Sequence, residues 1–254
     1  AMRTELTAAE WAQYENDGYL RLGRLLDDAA LQALQDRIDA IMLGNAALDY
    51  SQIMMQLDRI PGETEGPGPQ TKGHKQSTLR YRKIENLERD PLFFAYMRHP
   101  LVEHICRRVY GQDAQVACYR AMFMNKPARE GTHLVWHQDR WTNLDRDPLI
   151  TIWTALDPAT KANGCVQVIP GLHRKLINPE HGSGFLTEEQ TQELLSQYEP
   201  VYMELPAGEA MLLHNHLPHS SDVNHTDIAR RAFSVCYMDG ATVAKNGETF
   251  PIVF

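Results

Sequence analysis

The chain has 254 residues, of which 43% are hydrophobic, 23% charged and 8% aromatic, a composition that buries a substantial core and excludes disordered, collagen-like and coiled-coil architectures. Lysine and arginine number 25 against 33 acidic residues, a net charge of −8, and no long basic run offers the phosphate-neutralising surface that nucleic-acid binding needs. No run nears the ~18 consecutive apolar residues that span a bilayer, and the amino terminus lacks a basic-then-apolar leader. The expectation is a cytoplasmic protein that binds neither nucleic acid nor membrane, with its oligomeric state left open. Cys106, Cys118, Cys165 and Cys236 are widely spaced and form no CxxC pair, so they are expected to be reduced packing residues.

The first 43 residues read as helices. Thr7-Ala8-Ala9-Glu10 has capping-box spacing, in which hydroxyl and carboxylate satisfy each other's free amides. After Asp27-Asp28, Leu31, Leu34, Ile38 and Ile41 recur at three- and four-residue intervals and give a second helix an apolar stripe. Pro61 to Gly73 holds three prolines and four glycines, the composition of a surface loop and a candidate lid. Asp90-Pro91 opens a helix that runs from Leu92 to Tyr110 and breaks at His99-Pro100, because proline disfavours helix in the residue before it.

Beyond Gly111 the pattern turns to short runs rich in β-branched and aromatic residues: Val116 to Met124, Leu149 to Leu156, Cys165 to Ile169, Val201 to Leu205, Ala210 to His214 and Arg231 to Met238. These read as strands. A second capping box, Thr187-Glu188-Glu189-Gln190, opens a helix reaching Gln197. Helices followed by many short strands predict one α+β, mainly β domain over 1–254, with helical support over 5–110 and a sandwich or barrel over 112–240.

Eleven histidines are unevenly spread, with His133 and His137 close together and His214, His216, His219 and His225 within twelve residues. In Trp136-His137-Gln138-Asp139 an extended backbone puts the imidazole and the carboxylate on one face and Gln138 on the other. A third donor from a distant strand completes a two-histidine, one-carboxylate facial triad, which leaves adjacent metal positions open for a chelating co-substrate and dioxygen. Arg230-Arg231 opens the strand that follows His219. A guanidinium there suits the far carboxylate of a dicarboxylate, though spacing does not separate Arg230 from Arg231.

His137-Gln138-Asp139, Ile152-Trp153-Thr154-Ala155-Leu156-Asp157, Asn163-Gly164-Cys165, Ile169-Pro170-Gly171-Leu172-His173, His219-Ser220-Ser221-Asp222-Val223-Asn224 and Arg230-Arg231-Ala232, in that order, resemble the phytanoyl-CoA dioxygenase (PhyH) family of Fe(II)/2-oxoglutarate oxygenases. The resemblance covers most of the chain, from Leu6 to Met238, and includes Asn125-Lys126-Pro127 ahead of the metal motif. It implies a double-stranded β-helix, a jelly-roll variant of the cupin kind, with Fe(II), 2-oxoglutarate and O2 as the cofactor and co-substrates. By matching motif it makes His137, Asp139 and His219 the iron ligands and Arg230 the partner of the distal 2-oxoglutarate carboxylate. Trp153, Ser221, Lys83 and Met122 would line the co-substrate. The implied reaction is hydroxylation of an unactivated C–H bond in a small molecule, with release of succinate and CO2. The carboxylate ligand Asp139 separates the chain from related halogenases, which carry a small residue there.

Thr71 to Lys83 contains Lys72, Lys75, Arg80, Arg82 and Lys83 and no acid, which suits either a solvated face or recruitment of an anionic substrate. His214 and His216 neighbour the proposed third ligand and are expected to be supporting residues, and Trp136, Arg140 and Trp141 flank the first two. Two other functions stay open at this stage. One is a hydrolase or isomerase using a redox-inert metal on the same triad; the other is a catalytically silent binding module.

Overall fold

The computed structural model describes residues 2–60 and 66–254. Among these residues are five α-helices: α1 (Ala8–Asp17), α2 (Asp28–Met42), α3 (Pro91–Met97), α4 (Pro100–Tyr110) and α5 (Glu188–Gln197). Twelve strands accompany them: β1 (Tyr19–Arg24), β2 (Met54–Leu57), β3 (Thr71–Lys72), β4 (Tyr81–Glu85), β5 (Val116–Lys126), β6 (Leu134–His137), β7 (Ile150–Ala155), β8 (Val166–Val168), β9 (Val201–Tyr202), β10 (Glu209–His214), β11 (His219–Ser221) and β12 (Arg230–Asp239). Local chemistry sets the helix ends. The Glu10 amide donates to the Thr7 hydroxyl while the Thr7 amide donates to the Glu10 carboxylate, and Thr187 and Gln190 repeat the device at α5. The Asp90 carboxylate accepts from the Leu92 and Phe93 amides. His99, held in extended backbone ahead of Pro100, separates α3 from α4.

The strands form an eight-stranded sheet in the order β1-β10-β7-β12-β5-β4-β2-β3 and a four-stranded sheet in the order β6-β11-β8-β9. Every pairing is antiparallel. This is the mainly β, double-stranded β-helix architecture, with two open sheets in place of a closed cylinder. The large sheet is covered on both faces, as the unbroken burial of β7 requires. Phe233 and Val235 of β12 and Ile152 of β7 pack with Leu34, Ile38 and Ile41 of α2, Phe93 of α3 and Ile105 of α4. On the opposite face Trp153, Ala155, Met211, Leu213 and Ala232 pack with Val166 and Val168 of the small sheet.

The amino-terminal stretch is not wholly helical. Between α1 and α2, β1 pairs with β10 and forms an edge of the large sheet. Its alternation spans only six residues and is interrupted by a bulge at Gly23, where the backbone takes φ +74°. Of the candidate lid, residues 61–65 lie outside the described residues. Its described remainder is tied to β2: Gly68 exchanges hydrogen bonds with Leu57 and Gln56, and Thr71–Lys72 pairs with Met54 and Met55.

Candidate metal centre

Strand register builds the site. His137 ends β6, His219 opens β11, and the two are direct cross-strand partners, so both rings rise from the same patch of the small sheet. Their centroids stand 4.1 Å apart. Asp139 follows two residues after β6 ends, its amide donating to the Asn215 carbonyl at 2.6 Å. Its carboxylate then meets both rings, Oδ1 at 3.4 Å from His137 Nε2 and Oδ2 at 3.3 Å from His219 Nε2. One donor atom from each residue lies within 4.8 Å of the others, and this is the one such His/Cys/Asp/Glu group among the described residues.

The donors fit a divalent ion. His137 Nδ1 lies 2.7 Å from the Val135 carbonyl and His219 Nδ1 2.8 Å from the Leu217 carbonyl. A carbonyl only accepts, so each Nδ1 carries the proton and each Nε2 presents its lone pair to the centre, the arrangement that orients metal-binding imidazoles. Two donors ~2.1 Å from one ion and at right angles to each other are ~3 Å apart, close to the spacings seen. Burial opposes ionisation of Asp139, but the two imidazoles prevail and hold its carboxyl well below the usual carboxylate range. Burial, and then the neighbouring His219, push His137 down towards the neutral ring. His219 is raised, because attraction to Asp139 overcomes its burial. Phe185 stacks on His137 at 4.7 Å and 15° and fixes the ring from one side.

The cavity in front of these donors has a volume of about 510 Å³. The large sheet supplies its opposite wall through one alternating set of side chains. Lys83, Met124 and Ala232 lie in one row across β4, β5 and β12, and Met122, Ser234 and Trp153 lie in the next. Arg230 and Lys126 face each other at the end. His137, Asp139, His219, Arg230, Trp153, Ser221, Lys83 and Met122 all line this one cavity, so every residue singled out for the site is brought together.

The paired arginines turn to opposite sides and have different partners. Arg231 turns out of the cavity and forms a bidentate pair with Asp157, plus a bond to Asp39 at 2.9 Å. Arg230 turns in, is 3% exposed, and among the described residues donates only to the Gly164 and Met124 carbonyls at 3.2 and 3.3 Å. Its Nε has no partner among the described residues, and the guanidinium lies 5.2 Å from the Trp153 ring centroid. Burial lowers it to about 10, so it stays charged at neutral pH. A buried cation without a counter-ion is costly and calls for an anionic ligand.

The supporting residues are now placed. Gln138 points away from the donors, giving its amide hydrogens to the Lys175 and His216 carbonyls and accepting from the Ile177 amide. His214 stands behind the site against Tyr14 and His173, and burial pushes it down to about 3. His216 faces Asp147 at 3.1 Å. Trp141 lines the cavity. Trp136 packs instead with Ile169, Leu186 and Leu194, and Arg140 donates to the Pro179 carbonyl. Of the basic run 72–83, Lys75 caps three backbone carbonyls and Arg80 meets Glu130, while only Arg82 and Lys83 reach the cavity. Lys126, which the sequence showed only within Asn125-Lys126-Pro127 and without a site role, also lines the cavity, as do Arg120 and Phe185. The first two sit at alternate positions of β5 with Met122 and Met124, so the period-2 pattern was the available signal; Phe185 belongs to a loop and gave none.

A two-sheet β-helix that gathers two histidines, a carboxylate and an inward arginine defines the class of 2-oxoglutarate-dependent oxygenases that use non-haem iron. The chain belongs to the phytanoyl-CoA dioxygenase (PhyH) family, whose profile matches residues 14–232. A probable phytanoyl-CoA dioxygenase of Caenorhabditis elegans is 25% identical over 244 residues, which is 91% of this chain and 75% of that protein. Among solved structures, EctD from S. alaskensis with 2-oxoglutarate and 5-hydroxyectoine aligns with TM-score 0.74 at 22% identity, covering 94% of this chain and 78% of that one. The non-haem α-ketoglutarate-dependent carbocyclase SnoK of nogalamycin biosynthesis aligns with TM-score 0.72 at 19% identity, covering 98% and 97%. Among the described residues no helix is long and apolar enough to cross a membrane.

Proposed function

We propose that the protein hydroxylates an unactivated C–H bond of a small anionic molecule while converting 2-oxoglutarate to succinate and CO2. The observation that carries this reading is Arg230, a buried guanidinium without a carboxylate partner among the described residues, in the cavity onto which His137, Asp139 and His219 open. A redox-inert hydrolytic metal has no use for a dicarboxylate anchor there, and a silent binding module has no use for two Nε2 lone pairs aimed at one carboxylate.

In this reading His137 Nε2, Asp139 and His219 Nε2 hold the iron. When bound, the iron activates dioxygen at the expense of the 2-oxo acid. Arg230 takes the far carboxylate of 2-oxoglutarate in a bidentate fork, and the Trp153 ring beside it limits where the carbon chain can lie. Ser221, two residues beyond His219 on β11, and Lys83 on β4 supply polar contacts, and Met122 and Met124 exclude water from the chain between them. Holding both ends of the co-substrate fixes its 2-oxo group beside the metal and leaves the rest of the cavity for substrate. Among the described residues, Arg82, Lys83, Arg120, Lys126 and Arg230 line the cavity against the carboxylates Glu85 and Asp139, Arg120 being paired with Glu248 beside it. This excess favours substrates bearing a carboxylate, phosphonate or acyl-CoA group.

The test is spectroscopic and then chemical. Apoprotein mixed anaerobically with Fe(II) and 2-oxoglutarate is expected to develop the weak visible charge-transfer band of the chelate and to form succinate once air is admitted. His219→Ala is expected to abolish both. Absence of both signals in the wild-type protein removes the oxygenase reading, and their survival in the variant moves the third ligand elsewhere. Succinate release screened against small acids, phosphonates and acyl thioesters then identifies the substrate class.

A further inference from the structure

The anchoring end of the cavity holds a second cation to which the reading above gives no part in holding the co-substrate. Lys126 on β5 is the register partner of Arg230 on β12; it lines the same cavity and is 4% exposed. Among the described residues no carboxylate lies within ion-pairing distance of either. Among the described residues Lys126 Nζ donates to a single acceptor, the Thr132 carbonyl, at 2.6 Å, leaving two of its three donors for something else. The fold makes room for this side chain with two glycines. Gly164 has φ +89°, and a Cβ there would come within 2.6 Å of Lys126 Cδ; Gly131 has φ +98°, and a Cβ there would lie 3.0 Å from Lys126 Cβ. Gly164 also supplies the carbonyl that accepts from Arg230, so one residue seats both cations.

The charged groups facing Lys126 are Arg230 on β12, Arg82 on β4, Asp58 after β2 and Asp222 after β11. Both acids have other roles: Asp58 accepts from the Gly131 amide and the Thr132 hydroxyl, and Asp222 lies on the surface 3.6 Å from His225. Burial, and then repulsion by Arg230, bring Lys126 down to about 7. Two buried cations side by side, with backbone carbonyls as their only partners among the described residues, repel each other until an anion separates them.

We propose that Lys126 is the second cation of the distal co-substrate subsite, that the far carboxylate of 2-oxoglutarate sits between Lys126 and Arg230, and that Lys126 takes up a proton as this carboxylate arrives. The inference rests on the co-substrate reading and deepens it. The sign follows from linkage: the carboxylate favours the ammonium, so affinity is full where Lys126 is already protonated. Affinity then falls by up to about tenfold per pH unit where binding must bring the proton in.

The experiment is calorimetric titration of 2-oxoglutarate into the Mn(II)-loaded protein, between pH 6.5 and 8.5 and in two buffers of different ionisation enthalpy. The wild type is expected to take up protons on binding at pH 7.5 and to bind more weakly as the pH rises. Lys126→Met is expected to bind about tenfold or more weakly with no proton uptake. Lys126→Arg, which keeps the charge but does not titrate in this range, is expected to bind without uptake and with affinity independent of pH. A lysine whose only role was to brace the 131–132 turn would change melting temperature without proton linkage, and the wild type would then show none. Binding that depends on Arg230 but is free of proton uptake in the wild type, or uptake that persists in Lys126→Met, overturns the inference and leaves the co-substrate reading standing. No binding of 2-oxoglutarate to the wild type overturns both.

Discussion

Replacing each arginine of the Arg230-Arg231 pair by methionine separates ligand anchoring from structural support. Burial of the Arg230 charge, seen in its shift to about 10, represents about 3 kcal/mol of unfavourable energy at neutral pH. Its removal is offset by the loss of donors to the Gly164 and Met124 carbonyls, at ~1–3 kcal/mol each. Arg230→Met in the ligand-free protein should therefore melt within a few degrees of the wild type. Its effect should fall on binding, because losing one member of a buried charge pair costs ~2–4 kcal/mol, or roughly 30- to 1,000-fold in Kd. At 2-oxoglutarate equal to 100 times the wild-type Kd, binding stabilises the wild type by about 2.7 kcal/mol, which raises Tm by about 5–11 °C. At the same concentration the variant should gain at most about 1 kcal/mol. Arg231→Met does the reverse: it strands the buried Asp157, costs about 3 kcal/mol of stability, and keeps the ligand-induced rise. Anaerobic thermal melts of the metal-loaded proteins, with and without 2-oxoglutarate, read both effects. The reasoning fails if Arg230→Met keeps the full ligand-induced shift or if Arg231→Met loses it.

Three further outcomes are expected. A metal ion must displace the proton that Asp139 stabilises on His219, so apparent metal affinity should fall by about tenfold per pH unit below the raised pKa of His219; equal affinities at pH 6 and pH 8 contradict this. Without metal, the depressed carboxyl of Asp139 contributes stability present above pH ~4 and lost below it. The raised imidazole of His219 contributes stability present below pH ~6.5 and lost as pH rises through its folded pKa. Asp139→Asn should flatten this window in melts run from pH 3 to pH 8. Phe185→Ala removes the stack on His137, worth ~0.5–1.5 kcal/mol, and should weaken metal binding by roughly two- to tenfold with little change in Tm.

What the sequence disclosed followed from how local each signal was. The caps at Thr7, Asp90 and Thr187 and the stripe on α2 are decided within a few residues, and the structure places them as expected. Strands β1, β4 and β11 went unread because charged, polar or glycine residues fill half or more of their positions where the equally short β7 and β10 are apolar runs, and they are fixed by pairing with distant partners. At the candidate site, His137 and Asp139 announce themselves by spacing. His219 and Arg230 reach them only through register across β6-β11 and β12-β5. The choice between Arg230 and Arg231 depended on Asp157 and Asp39, and neither acid is marked as a partner by its neighbours along the chain.

The most direct test is a crystal structure of the protein soaked anaerobically with Fe(II) and 2-oxoglutarate, the metal located by anomalous scattering. The expected map shows one iron on His137 Nε2, Asp139 and His219 Nε2, chelated by the co-substrate, whose far carboxylate lies on Arg230. A fourth protein ligand closing the ion, or a co-substrate carboxylate away from Arg230, contradicts the account.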